Sequence, residues 1–281
     1  MLEEIANLGF HWAELHEGLG PCPMSEIAKF VDQGGIHISH LRNYCFSPLN
    51  GVRGPEFTAQ EEEERTLAVC LTQRTIDHAI QLGASTVVLD CGNAMDMKSH
   101  SRFLKLACQG KLYTKEFAHA KIEEILQREK KSDLLKNRVL DCLREVGDYA
   151  GDRGIRLGIE NQEAYEAFPS EREFPSLLEE LNHPVFGYWH NFGSAQIKQY
   201  LTLLDHEQWL KCMVSQTIGC SLDDVRGLDQ RHLPPFTGVI DYEKLVPLLP
   251  HNSLFVLDLR GGSENAAILS SIEHWKNQFR R

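Results

Sequence analysis

The sequence predicts an α/β barrel of parallel strands. Three observations carry that expectation. Short apolar runs alternate along the whole chain with longer helical stretches, which implies right-handed crossovers and a parallel sheet. The 281 residues exceed a usual single domain but suit one barrel of roughly 250 residues. Several of the runs end in polar or acidic side chains, and in barrels the strand ends form the active-site face. The stretch that organises the rest is RLGIENQ, residues 156–162, where a short apolar run leads into Glu160 and Asn161.

Each element follows in order. Residues 2–8 read as a helix closed by Gly9, and WAELHE at 12–17 alternates apolar and polar residues as the first strand. Pro23 opens a helix over 24–33 that Gly34-Gly35 stops, and IHISHLR at 36–42 is the second strand. A loop containing Pro and Gly covers 43–58. A long helix over 59–82 ends before Gly83, and TVVLD at 86–90 is the third strand. Residues 103–152 are mostly helix, broken near Gly110 and again around Ser132. Beyond the strand at 156–160 come a helix at 174–181, the strand FGYWHN at 186–191 and helical pieces over 194–209. The strand QTIGCSL lies within 213–223, followed by a short helix at 242–249, a strand at 254–258 and a closing helix at 263–279. The count is seven strands. A barrel closed by eight needs one more strand ahead of Leu2. Either the coding region begins further upstream, or the barrel closes with seven strands or stays open there. No stretch reads as a linker, so residues 1–281 are expected to form one domain.

Composition excludes several classes. A net charge of −11 argues against nucleic acid as a partner, because phosphate binding needs clustered Lys and Arg. No apolar run approaches the ~20 residues that span a bilayer. The acidic, amphipathic start is unlike a secretory signal. The eight cysteines are scattered and form no CxxC pair, which fits reduced thiols in a cytoplasmic protein and no structural zinc. Oligomerisation stays open.

Taken in order, IANLGFHWAELHEG, TIDHAIQLGASTVVLDCG, LGIENQ, FGYWHNFGSAQ, IGCSLDDVRGLDQRHLPPFTGVID and FVLDLRGG resemble the xylose isomerase-like TIM barrel superfamily. That superfamily contains sugar isomerases, sugar epimerases and enzymes of the endonuclease IV type. The resemblance covers the chain except for a first strand. It implies carboxylates and histidines at the ends of the later strands that bind divalent metals, which polarise a carbonyl and hydroxyl or a phosphodiester. Glu160 matches the superfamily's Glu after the fifth strand. Its W-H-D-x-G-H stands here as Trp189, His190, Asn191, Phe192, Gly193 and Ser194, and its H-L-H-D as Ser221, Leu222, Asp223 and Asp224. Asp258 replaces the last-strand Glu, and Arg42 and Asp90 stand where His is common.

The imidazole ligands are therefore gone. Zinc, which prefers imidazole and thiolate, is a poor match for what remains. Glu160, Asn191 and Asp258 form an oxygen-only set that suits Mg²⁺ or Mn²⁺; the other reading is no metal at all. Glu160 and Asp258 are the candidate catalytic pair, because two carboxylates in a dry mouth push their pKa values apart into an acid and a base. Arg42, His40, Asp90, Asn191, Asp223 and His232 are the candidate substrate contacts. The stretch QRHLPP at 230–235 reads as a rim turn stiffened by two prolines, with Arg231 and His232 able to meet an anionic group. His190 is expected to pack outward or at the rim. Two functions stay open: a sugar or sugar-phosphate isomerase or epimerase (or a hydrolase of the same superfamily), and a degenerate barrel that binds a small molecule or a protein.

Overall fold

A computed structural model describes residues 2–16, 24–46, 54–94 and 99–279. Glu17, expected in the first strand, and Pro23, expected to open the next helix, lie outside them, as do residues 47–53 of the expected loop. The strands are β1 (Trp12–Leu15), β2 (His37–Arg42), β3 (Thr86–Leu89), β4 (Arg156–Glu160), β5 (Phe186–Asn191), β6 (Thr217–Leu222), β7 (Asp224–Arg226), β8 (Gln230–Leu233) and β9 (Leu254–Leu257). The helices are α1 (Leu2–Asn7), α2 (Met24–Asp32), α3 (Glu62–Gln81), α4 (Ser99–Cys108), α5 (Lys115–Glu129), α6 (Ser132–Gly151), α7 (Phe174–Leu181), α8 (Phe192–Tyr200), α9 (His206–Met213), α10 (Tyr242–Leu245) and α11 (Asn265–Gln278). Seven strands form one parallel sheet in the order β1-β2-β3-β4-β5-β6-β9 among the described residues. The helical stretch between β3 and β4 is interrupted as its sequence predicts, around Gly110 and just before Ser132.

The chain divides into two compact units. The first comprises residues 1–92, 137–159 and 178–187. Here β3 is buried along its whole length, because TVVL has apolar or hydroxyl side chains on both faces and both are covered. Gly83 (φ 71°) and Gly154 (φ 68°) take the left-handed conformation after α3 and α6, which ends each helix and turns the chain toward a strand. The β1–β2 register sets Glu14 opposite His40.

The second unit comprises residues 93–136, 160–177 and 188–281. Its core packs Phe103, Phe117, Phe192, Leu222, Tyr242 and Leu245 together. Strand β5 runs into α8 with no intervening loop. Asn191 makes that possible by capping the helix, its side-chain oxygen accepting the Ser194 N–H at 2.8 Å.

One expectation is corrected in this unit. The QRHLPP stretch is not merely a turn, since Gln230–Leu233 is strand β8, paired antiparallel with β7 in a two-stranded ribbon. Gly227 (φ 69°) supplies the tight turn. The fully buried Asp224 carboxylate then ties the ribbon down, accepting backbone N–H groups from Val225, Gly238, Val239 and Ile240 at 2.8–3.0 Å.

Candidate functional site

In the second unit the ends of β4, β5 and β6 converge on Glu160. Its Oε1 accepts the Asn191 amide at 3.2 Å and the Ser221 hydroxyl at 3.1 Å, and its Oε2 accepts the Gln162 amide at 3.2 Å. Ser221 in turn accepts the Trp189 indole N–H at 2.9 Å. Trp189 is wholly buried, and it fits only because position 219 is glycine: a Cβ there would run into the indole ring. These donors are neutral and orient the carboxylate.

A second cluster follows directly after β6 and β9. Asp223, with 2% of its surface exposed, accepts the Gly193 N–H at 2.9 Å. Any side chain at Gly193 would collide with that carboxylate, so the close approach requires glycine. His232 Nδ1 lies 3.5 Å from Asp223 and 3.4 Å from Asp258. Burial is the largest influence on Asp223 and drives its carboxyl up to about 7; His232 and the Gly193 N–H favour its charged form, while Asp258 and Glu160 oppose it. Asp258 is the main reason the His232 imidazole rises to about 9, against its partial burial. His232 also holds a left-handed backbone (φ 53°), a strain of roughly 1–3 kcal/mol for a non-glycine residue. The ribbon thus aims an imidazole between two carboxylates.

His190 does not sit at a rim. It is fully buried in a polar chain that sequence reasoning missed. The Tyr188 hydroxyl donates to Asn161 Oδ1 at 2.8 Å and accepts the Trp209 indole N–H at 2.8 Å. The 2.7 Å contact with His190 Nδ1 must then be a bond donated by His190, which leaves its Nε2 to accept from His206 Nε2 at 2.9 Å. Burial holds His190 well below the usual histidine range and His206 down at about 3, so both are neutral. At the far end, the Asn161 side chain pairs with both backbone groups of Asn191. The chain braces the residue that orients Glu160.

The first unit holds the earlier candidates, Arg42, His40 and Asp90. His40, expected as a substrate contact, is fully buried: its Nε2 lies 2.6 Å from Glu14 and its Nδ1 2.9 Å from Ser39. Arg42 donates to the same Glu14 at 3.2 Å. Burial would raise Glu14, but Arg42 and His40 together outweigh it and hold the carboxyl down at about 2. Asp90 is exposed and accepts the Gly92 N–H at 2.9 Å. Glu14 was readable only as a polar residue between Ala13 and Leu15; its two partners come from a neighbouring strand.

Comparison with known proteins fixes the family. A model of the xylose isomerase-like TIM barrel family matches residues 2–278. The chain belongs to that family. A D-tagatose 3-epimerase-like protein is similar at 17% identity and a TM-score of 0.71, over 99% of this chain and 91% of that one. A family 2 AP endonuclease from Brucella melitensis gives 15% and 0.68, over 100% and 92%. The 3-keto-D-glucoside 4-epimerase of E. coli gives 12% and 0.67, over 98% and 92%. At such identities these structures establish the fold alone. No curated protein matches the chain.

The family resemblance implies a divalent metal held by these side chains. Among the described residues no three His, Cys, Asp or Glu side chains gather into a metal-binding group. Asn191 spends its oxygen on the Ser194 N–H and turns its amide nitrogen toward Glu160. Ser221 donates to Glu160, and Asp258 faces His232. As they stand, Glu160, Asn191 and Asp258 do not fit a divalent ion.

Proposed function

We propose that this xylose isomerase-like barrel is an epimerase or isomerase of a hydroxylated, sugar-like small molecule that works by side-chain proton transfer, without a tightly held metal. The observation that supports it is the Asp223–His232–Asp258 cluster, in which a buried carboxyl raised to about 7 meets an imidazole raised to about 9. Groups that titrate at and a little above neutral pH are what general acid–base chemistry uses. Moving a proton at a carbon beside a carbonyl needs one group to remove it and another to return it, on the opposite face for epimerisation. Glu160 ends β4 and Asp258 follows β9, with β5 and β6 between them in the sheet, so the two reach a substrate from different strands. In this reading Glu160 handles one face and the Asp258–His232 pair the other. Asp223 tunes His232, and Asn191 and Ser221 orient Glu160. The 3-keto-D-glucoside 4-epimerase and the D-tagatose 3-epimerase-like protein among the similar structures agree with a sugar-like ligand.

A cytoplasmic setting is part of the proposal, since no disulfide joins cysteines among the described residues, in keeping with reduced thiols. No helix among the described residues is long and apolar enough to cross a membrane.

The test is a panel of free ketoses and aldoses incubated with chelator-treated protein, with products separated by chromatography. Conversion that survives chelation and disappears in Asp258→Asn and His232→Gln supports the proposal. Conversion that appears only on adding Mn²⁺ or Mg²⁺ contradicts the metal-free part. Binding of a sugar without conversion would instead mark a barrel that only binds.

A further inference from the structure

The residue beside His232 has a second task. Arg231 Nη1 meets Glu163 Oε1 at 2.5 Å, and its Nη2 donates to the Leu228 carbonyl at 3.0 Å. Glu163 lies three residues beyond Glu160 on the segment after β4, and the same Oε1 takes His100 Nε2 at 2.7 Å. His100 is held by its own backbone N–H, which donates to Glu166 at 2.9 Å. Three separate stretches of the second unit are thereby joined through one carboxylate: the start of α4, the segment after β4 and strand β8. The Arg260 N–H also donates to the His232 carbonyl at 2.8 Å. The anchors flank the one residue of β8 with a left-handed backbone.

We propose that Arg231 and Glu163, backed by His100, are positioning residues that latch the β7–β8 ribbon and hold His232 between Asp223 and Asp258. A two-stranded ribbon this short has little stability of its own, and the strained backbone of His232 favours its release. A charged anchor next to it opposes that release. Arg231 is then committed to Glu163 rather than to an anionic substrate group, the role its sequence position alone suggests. The inference rests on the proposed site but not on its chemistry, because the latch is measurable without a substrate.

The experiment uses full-length protein labelled with ¹³C,¹⁵N-histidine, with the His232 ring signal assigned by its loss in His232→Gln. Spectra of Arg231→Met, Glu163→Gln and Arg231→Lys are taken at one fixed pH, with thermal melts beside them. In the first two variants the His232 signal is expected to move to that of a solvated imidazole while the buried His190 and His206 signals stay. In Arg231→Lys, which keeps the charge, it is expected to remain near wild type. The melting temperature should stay within a few degrees, since the ion pair is partly exposed. An unmoved His232 signal in both Arg231→Met and Glu163→Gln overturns the latch. Equal movement of the His190 and His206 signals overturns it too, by revealing general loosening. If wild type converts no sugar yet the His232 signal moves as expected, the reading of function fails and the latch stands.

Discussion

The two units each build an acid–histidine cluster at strand ends, with opposite charge balance. In the first, one carboxylate, Glu14, meets a guanidinium and an imidazole and is held ionised at about 2. In the second, Asp223 and Asp258 share one imidazole, with Glu160 close enough to add to the repulsion. A compensated cluster holds its protons in one arrangement at neutral pH. An over-charged one leaves protons free to move near pH 7, at a cost in stability. The first reads as scaffold and the second as chemistry.

Substitutions break this contrast in different observables. The largest expected effect is on turnover: His232→Gln should lower it by roughly 10²–10⁴-fold, the usual worth of a positioned acid–base group, with little change in melting. Glu14→Ala should do the reverse, since it leaves the Arg42 guanidinium without its carboxylate and His40 Nε2 without its partner. Breaking a fully buried pair costs about 3–5 kcal/mol; this one is partly exposed, so a smaller loss is expected, read by urea unfolding.

Acid sharpens the contrast. His206 falls from 6.5 when unfolded to about 3 when folded, and His190 is depressed in the same direction. Each therefore contributes stability that is complete above pH 6.5 and is lost as pH falls toward 3, as the unfolded chain takes up protons first. Melts from pH 7 down to 4 should decline, and the decline should be shallower in His206→Gln.

The smallest effect concerns Asp223. Its pKa rises from 3.8 to about 7 on folding, so its contribution to stability is full below 3.8 and is lost as pH climbs through 7. Asp223→Asn should consequently melt a few degrees higher than wild type at pH 8. For turnover itself, Asp223 supports the charged imidazole only as a carboxylate, and donating a proton needs His232 charged. The rate should rise through about 7 and fall through about 9.

Much of the fold was legible because a parallel sheet writes itself as short apolar runs. RLGIE and FGYWHN became strands with the predicted ends, and Phe174–Leu181 became the predicted helix. Of the candidate site, the sequence showed only which polar side chains stand at or after strand ends. Glu160 does meet Asn191, and Asp223 and Asp258 do meet His232. What stayed hidden depends on partners far away in sequence. Glu163 finds His100 across 63 positions, and His190 finds His206 across 16. That His40 is buried was hidden too, because period-two alternation shows which residues share a face but not whether that face is covered. The ribbon was hidden for another reason: strands of three and four residues beside two prolines carry no readable period.

The central claim is that side chains alone move a proton at this site. The most direct measurement is deuterium incorporation from D₂O into the carbon beside the carbonyl of a ketose, using chelator-treated wild type and His232→Gln. The account predicts incorporation by the wild type without added metal and its loss in the variant. Incorporation that appears only when Mn²⁺ or Mg²⁺ is restored, or that survives in His232→Gln, would contradict it.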